Sequence, residues 1–427
     1  MDEGCEVIMY VHQDRKNQIG RGIVPLASSQ AQWLAWGAKD PLTVYFFDQT
    51  HHGELADSLR RSGKLVLNGG SFQDRLELDR HWGTQIVEKA GVRTPPTHKF
   101  TSISETIAFL KTSPKQEFGD GGWAWKPDRD IGCDATLVSK DSERIMDHLQ
   151  QIRNRFGDKL KCILQEKIDG VAVSTARWWN GIGWVGPTQG TIENKKFMDH
   201  NLGPATGCSF NMVWFYWNNE VRINRELQWD KLALAFKQND APPGLYDINA
   251  ILNDKGAWFL EWTPRLGIDS EMTSQRAISS LKDFVWALVT GNPVDKYFNT
   301  KQCYFDVRLS VPPYPNMVAA KDYKSPAVGV VVKGIDGLWD KNFVISGVGY
   351  DKEKGLHVTD PSGLLGFAVN SGTNLEESYK KLYNWIKEDL VVPDLQYRTD
   401  AAQVISDDVK AMLKTGWELT PYLKGVL

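Results

Sequence analysis

"AWFLEWTPRLGIDSEM", residues 257–272, decides how this chain is to be read. An apolar run, Trp258-Phe259-Leu260, leads directly into Glu261, and Arg265 follows four residues later. Burying a carboxylate costs roughly several kcal/mol unless the group is paired or bound to a metal. An acid at the end of a buried strand therefore points to a ligand. Just upstream, "GLYDINAILNDKGAWFLEW" (244–262) reads as a β-hairpin turning at Asp254-Lys255-Gly256. The period of two puts Asp247 and Asn249 on one face of the first strand, and the hairpin sets Glu261 across from them. Oxygen ligands on neighbouring strands suit a magnesium ion whose shell is completed by nucleotide phosphates. Taken singly, each of these acids reads as one half of a structural ion pair.

Further from this hairpin the chain alternates helices and strands. "EVIMYVH" (6–12), "LTVYFFD" (42–48) and "KLVLNGG" (64–70) read as strands, separated by helices in 28–40 and 52–63, which predicts a small parallel α/β domain. "SFQDRLELDRHWGTQIVEKAG" (71–91) reads as one long amphipathic helix stopped by Gly91, with Pro95-Pro96 beyond it. The first boundary falls there, giving 1–93 as an N-terminal α/β domain. Residues 94–298 form a two-lobed central domain, the lobes spanning about 100–165 and 166–298. Residues 299–427 form a β-rich C-terminal domain of short strands followed by a helix over 375–388, "LEESYKKLYNWIKE", and a tail. Overall the chain is α/β and α+β, multidomain.

Composition narrows the function. Length (427 residues) exceeds one ordinary core, and 41% hydrophobic with 24% charged residues is a globular balance. The net charge of −3 argues against a general nucleic-acid binder. Five scattered cysteines without a CxxC pattern fit a reduced, cytoplasmic protein without structural zinc. The acidic N-terminus carries neither a signal peptide nor a membrane span. The 17 tryptophans read first as packing residues, with base stacking as the lesser alternative.

The charged residues of the central region sit at expected strand ends and loops. Lys126 ends the apolar "GGWAWKP", where a lysine meets a phosphate as a point charge or else snorkels to the surface. "DRDIGCDATLV" (128–138) is a loop with a single glycine that is placed to cover such a phosphate. "ILQEKIDG" (163–170) runs an apolar strand into a polar hinge. Glu193, Lys195 and Lys196 open "ENKKFMDHNLGPATGCS", read as a loop whose ammonium and backbone N–H groups suit an anion, or as a solvated charge cluster.

These pieces, in this order, resemble an ATP-grasp ligase, and specifically the phosphoribosylamine–glycine ligases (glycinamide ribonucleotide synthetases), from about Leu67 to Asp400. "FLEWTPRLG" resembles the family's "VIEFNPRFG", "ENKKFMDHNLGPATGC" its "DHKR…DGDTGPNTGG" loop, and "ILQEKIDGVAVS" its "VIEEFLDGEEFS". "AWKPDRDIGCDATLV" resembles "VKADGLAAGKGVVV", and the Tyr397-Arg398-Thr399-Asp400 ending resembles that of the family's C-terminal domain. The resemblance implies ATP and Mg2+ as cofactors and small-molecule partners, an amino-acid carboxylate and an amine. It implies Glu261, Asn249, Asp247 and Thr263 as metal ligands. Lys126, Gln165, Glu166, Lys167, Ile168 and Lys195 would bind ATP. Glu193, Lys196, Asn201, Thr206, Gly207 and Arg265 would bind substrate, with Arg265 and Lys195 also catalytic.

The departures shape the reading. The family's second phosphate lysine falls near Asp134, its ribose-binding glutamate on Ala172, and its metal-binding asparagine on Thr263. Its N-terminal glycine cradle for a phosphate has no counterpart; Arg15, Lys16 and Arg21 lie near that place. The implied activity is ATP-dependent carboxylate–amine ligation through an acyl phosphate, with glycine or another amino acid as the acid. The alternatives are a true glycinamide ribonucleotide synthetase of purine biosynthesis and a degenerate protein that binds nucleotide without ligating.

Overall fold

The computed structural model describes residues 4–11, 19–112, 122–127, 137–217, 219–267, 269–315, 324–335 and 341–423. At the N-terminus, α1 (Gln30–Gly37), capped by the Ser29 hydroxyl, and α2 (Gly53–Arg61) alternate with β1 (Val44–Phe46) and β2 (Leu65–Leu67), which pair in parallel. Over its described residues, 6–11, the third strand expected at 6–12 does not form. Met9 makes one parallel bridge to Leu26, and its backbone bonds go to Pro25 and Ala27 instead of to β1.

The single helix expected over 71–91 is two, α3 (Ser71–Leu78) and α4 (Arg80–Ala90). Asp79 breaks it, because its carboxylate accepts from the Trp82 N–H at 2.9 Å and caps α4. Gly91 ends α4 in the left-handed region at φ 88°. The break turns Glu77 and Arg80, either side of it, toward the strands that follow.

Next come β3 (Thr97–Phe100), α5 (Ile103–Thr112), β4 (Trp123–Pro127), β5 (Leu137–Ser139), α6 (Ser142–Phe156) and β6 (Cys162–Glu166). The four strands form an antiparallel sheet in the order β3-β6-β4-β5. Both helices cover it through their own core, built on Ile103, Trp125, Ile145, Leu149 and Leu164.

The larger sheet is antiparallel throughout. Its strands are β7 (Val171–Trp179), β8 (Trp184–Met198), β9 (Leu202–Tyr216), β10 (Gly244–Asn253), β11 (Gly256–Thr263), β12 (Cys303–Ser310), β13 (Phe343–Ile345) and, beyond the separate hairpin β14 (Val348–Asp351) and β15 (Gly355–Val358), β16 (Leu364–Gly372). The order is β11-β10-β7-β8-β9-β12-β16-β13, so strands from beyond residue 299 continue the sheet of the central region. A single core joins α3, α4, this sheet and the helices Leu375–Glu388 and Ala401–Lys414.

Two hairpins differ from expectation. The β7–β8 hairpin, whose Asn180-Gly181 reads from the sequence as its turn, closes through a four-residue connection in which the Asn180 side chain accepts from the Ile182 and Gly183 N–H groups. The loop read over 193–209 is the far half of a long β8–β9 hairpin, turning at Asp199–Asn201 with His200 and Asn201 left-handed. Its residues are mostly exposed, so no apolar alternation marked it as strand. Among the described residues no helix is long and apolar enough to cross a membrane.

Candidate functional site

The hairpin that opened the sequence reading forms as expected, with one added feature. In register, Asn249 faces Glu261 and Asp247 faces Thr263, while Ala250 faces Phe259. Leu260 has no partner, so a β-bulge sits there. Without it, Phe259 and Glu261 would point the same way. With it, Phe259 enters the core beside Ile248 and Trp262, and Glu261 joins Asp247, Asn249 and Thr263 on the opposite face. The Asn249 amide donates to Thr263 Oγ1 at 3.0 Å and to Asp247 at 3.4 Å.

Glu261 keeps a third of its side-chain surface yet is ringed by protein, as a group at the floor of a cleft is. Burial alone would push its carboxyl up. Arg80, Lys126 and Lys195 outweigh burial and hold it down at about 2. The arginine beside it is Arg80, at 2.8 Å. Arg265 instead donates to Glu77 through Nε and Nη2 at 3.2 and 3.0 Å. Lys126, on β4, donates to Gln165 of the neighbouring strand β6 at 3.3 Å, and its charge also acts on Glu261 of the large sheet. Burial, the dominant effect, with Arg80 and Lys195 nearby, lowers its ammonium to about 8 despite Glu261.

A second group of acids lies deeper. Lys195 stands 3.5 Å from Glu193, and the charges of Glu193 and Glu261 favour its ammonium. Glu193 itself goes up, because burial and the charges of Asp269 and Glu261 outweigh Lys195. The pull on the lysine is the firmer of the two, since two carboxylates face one ammonium. Burial and the nearby Glu271 and Glu193 push Asp247 well above the usual carboxylate range, and its Oδ1 is buried without a hydrogen-bond partner. Glu271, buried and bonded to Gln189 Nε2 (3.1 Å) and Ser270 Oγ (2.8 Å), is raised by burial to about 7. Among the described residues, no three acid, imidazole or thiolate side chains enclose a metal unaided. The all-oxygen set of Glu261, Asn249, Asp247 and Thr263, with one orphaned carboxylate oxygen, nevertheless fits magnesium, which binds through one or two carboxylates and fills its shell with water and phosphate.

The remaining residues are placed as follows. Gln165 is buried, and Glu166 and Lys167 tie the hinge to the small sheet through N–H bonds to Pro96 and Gly122, both 2.9 Å. Lys167 pairs with Asp169 at 2.5 Å, and Ile168 lies half-buried between the sheets. Lys196 donates to the Gly203 carbonyl, and Asn201 accepts from Arg398 at the hairpin tip. Thr206 donates across to the Lys195 carbonyl at 3.2 Å. Gly207 sits at φ 83° with open space about it, a backbone state that excludes most side chains. Of the expected phosphate loop 128–138, residues 128–136, with Asp134, lie outside the described residues, as do Arg15 and Lys16, while Leu137 and Val138 belong to β5.

No family model matches the sequence. In three dimensions the chain is similar to phosphoribosylamine–glycine ligase from Thermotoga maritima, with a TM-score of 0.71 and 18% identity over 93% of this chain and 94% of that one. Biotin carboxylase from Campylobacter jejuni, in complex with β,γ-ATP, superposes at TM-score 0.65 and 10% identity over 98% and 93% of the two chains. The biotin carboxylase domain of a single-chain bacterial carboxylase follows at 0.59 and 11%, over 97% and 95%. The chain has the ATP-grasp fold. The resemblance read from the motifs thus holds for the architecture over nearly the whole chain.

In this chain, sequence reasoning missed Glu77, Arg80, Glu271, Gln189 and Arg308. Glu77 and Arg80 were hidden inside an expected continuous helix, where Asp79 was the only signal. Gln189 lies mid-strand on β8. Asp306 and Arg308, two apart in the apolar "YFDVRLS", are a charged pair on one face of a buried strand, the same pattern that singled out Asp247 and Asn249.

Proposed function

We propose that this chain is an ATP-dependent ligase that joins a carboxylic acid, an amino acid such as glycine, to an amine. One observation carries the reading: Lys126 from the small sheet lies near Lys195 and Glu261 of the large one, and Lys195 near Asp247, each close enough to shift another's protonation. ATP lies between the sheets, with its adenine against the 165–168 hinge and its phosphates toward the lysines. Lys126, Lys195 and Arg80 offset the phosphate charge. A magnesium ion, when bound, supplies further neutralisation of the β- and γ-phosphates, and Glu261 and Asn249, with Asp247 and Thr263 beside them, would hold it. The acid's carboxylate oxygen attacks the γ-phosphorus in line, the bond to the bridging oxygen breaks, and ADP leaves. The amine nitrogen then attacks the acyl carbon, gives up a proton, and phosphate departs, leaving the amide. Arg265 grips the acid through paired N–H groups once Glu77 releases it.

The amine is one without a phosphate. In the N-terminal region the helix ends that would cradle a phosphate are capped by the chain's own aspartates: Asp74 accepts from the N–H groups of His51 and Gly53, and Asp57 from that of Ser71. ADP release measured with magnesium, ATP and a panel of amino acids and amines tests the reading. The expected result is turnover that needs both an acid and an amine, with phosphoribosylamine a poor amine. Efficient glycinamide ribonucleotide formation would make the chain a glycinamide ribonucleotide synthetase. Nucleotide binding without any ADP release would leave the second reading, a non-ligating nucleotide binder. The exposed Ala172 favours that reading, since a methyl group offers a ribose no hydrogen bond.

A further inference from the structure

Arg308 reaches the loop of Arg265 and the hairpin of Lys195 at once. It lies on β12 with its side chain 8% exposed, and its fork meets the Asp269 carboxylate twice, Nε to Oδ2 at 3.0 Å and Nη2 to Oδ1 at 2.5 Å. Its Nη1 donates to the Thr206 carbonyl at 2.7 Å and also to the Tyr314 hydroxyl. Asp269 is four residues past Arg265 and begins the short helix Ser270–Ser274, which carries Glu271. Asp269 does not cap that helix with its side chain, because Arg308 has taken it. Thr206 in turn holds the Lys195 carbonyl through its hydroxyl. Two residues along the same strand face, Asp306 accepts from Thr273 Oγ1 at 2.7 Å and from Asn211 at 3.1 Å, so β12 fastens the short helix at a second point.

We infer that Arg308 is a positioning residue for the ligation: it fixes the Arg265 loop against the Lys195 hairpin, so that the group gripping the acid and the group facing the phosphate keep one relative geometry. The inference rests on the proposed function for what those two groups do. The chemistry favours arginine. Only a planar fork can give two bonds to one carboxylate and a third to a carbonyl beyond it. A lysine keeps the charge and loses that geometry. Strands contributed from beyond residue 299 then act on the reaction without touching a substrate, since displacements of the order of 1 Å at reacting groups lower rates by about a hundredfold.

Arg308→Lys tests this, with Arg222→Lys as the control. Arg222 is an arginine of comparable structural weight, bonded to Glu226 and Thr415, stacked on Trp417 and meeting the hairpin only at its turn, through the Asp254 carbonyl. In ADP release below the melting temperature, the expected result for Arg308→Lys is a kcat lowered by at least about tenfold, with KM for ATP nearly unchanged. Arg222→Lys keeps kcat whatever its loss of stability. If Arg308→Lys fails to fold, Asp269→Asn, which keeps the shape and removes the charge, is expected to show the same split. A kcat for the folded variants that stays at the wild-type value overturns the inference. If the wild-type chain releases no ADP with any acid and amine, the functional reading fails by itself. Hydrogen exchange then decides the inference: Arg308→Lys must speed exchange in 203–208 and 266–274 together while the rest of the chain is unchanged, and exchange unaltered in either segment overturns it.

Discussion

The two faces of the β10–β11 hairpin are built from the same twenty residues and obey opposite rules. One face carries Tyr246, Ile248, Ala250, Phe259 and Trp262, all buried in a core of interlocking rings; Trp262 alone meets Trp229 and Phe259 edge to face and donates to the Gly83 carbonyl at 3.1 Å. The other face carries Asp247, Asn249, Glu261 and Thr263, with an orphaned carboxylate oxygen and acids pushed out of their usual ionisation. The first face stabilises the fold by apolar burial. The second costs stability, and a chain selected for folding alone would not keep it. Such cost concentrated on one strand face marks the place where ligands are expected.

Damage to the two faces should therefore separate cleanly. Trp262→Ala removes a buried ring and is expected to cost about 3–5 kcal/mol, read from the denaturant midpoint. Its cleft-face neighbour Thr263→Ala loses one exchangeable hydrogen bond and should cost no more than about 1 kcal/mol. Equal losses at the two positions would erase the distinction.

Glu271→Gln should act in the opposite sense and stabilise. The folded protein holds this carboxyl at about 7, above its ordinary 4.5, so the folded state binds the proton more tightly than the unfolded one. Wild-type stability contributed by that proton is present below pH 4.5 and lost as pH rises through about 7. The glutamine variant lacks this loss, so its advantage should grow across that window to at most about 3 kcal/mol. An advantage that is flat from pH 4.5 to 8 would contradict the assignment. Lys126 predicts a smaller, opposite dependence in binding. Its ammonium, lowered to about 8, is charged below that pH, and ATP affinity should weaken by about tenfold between pH 7 and 9. Lys126→Arg, always charged, should flatten the profile in the same titration.

Deleting Leu260 should have the least effect on folding. The deletion removes the bulge yet leaves Phe259 and Trp262 inside and Glu261 outside, because strict alternation then gives the same assignment. A folded variant with reduced turnover fits a bulge that only aims the acid. Loss of the fold on circular dichroism would show that the bulge has a structural role instead.

How much was legible follows the same division. Periodicity located the hairpin at 244–262, the helix at 375–388 and the strand ending on Lys126, because apolar faces repeat with the backbone's own period. It did not find the far half of the β8–β9 hairpin, whose sides are both solvated, nor the capping break at Asp79. The acids and lysines of the cleft were visible wherever a charge ended an apolar run. Their partners were not: that Arg80 faces Glu261 across 181 positions is set by the packing of α4 on β11, a long-range contact no local pattern encodes.

The central claim is that Glu261 belongs to the chemistry and not to the fold. Magnesium-dependent ADP release by wild type and Glu261→Gln, compared under the acid and amine that give the highest rate, tests it most directly. The glutamine keeps the size and one oxygen but gives up the charge that Arg80, Lys126 and Lys195 now surround. The account predicts a variant that folds normally and loses turnover by about a hundredfold or more. Turnover close to wild type, with the same dependence on magnesium, would contradict it.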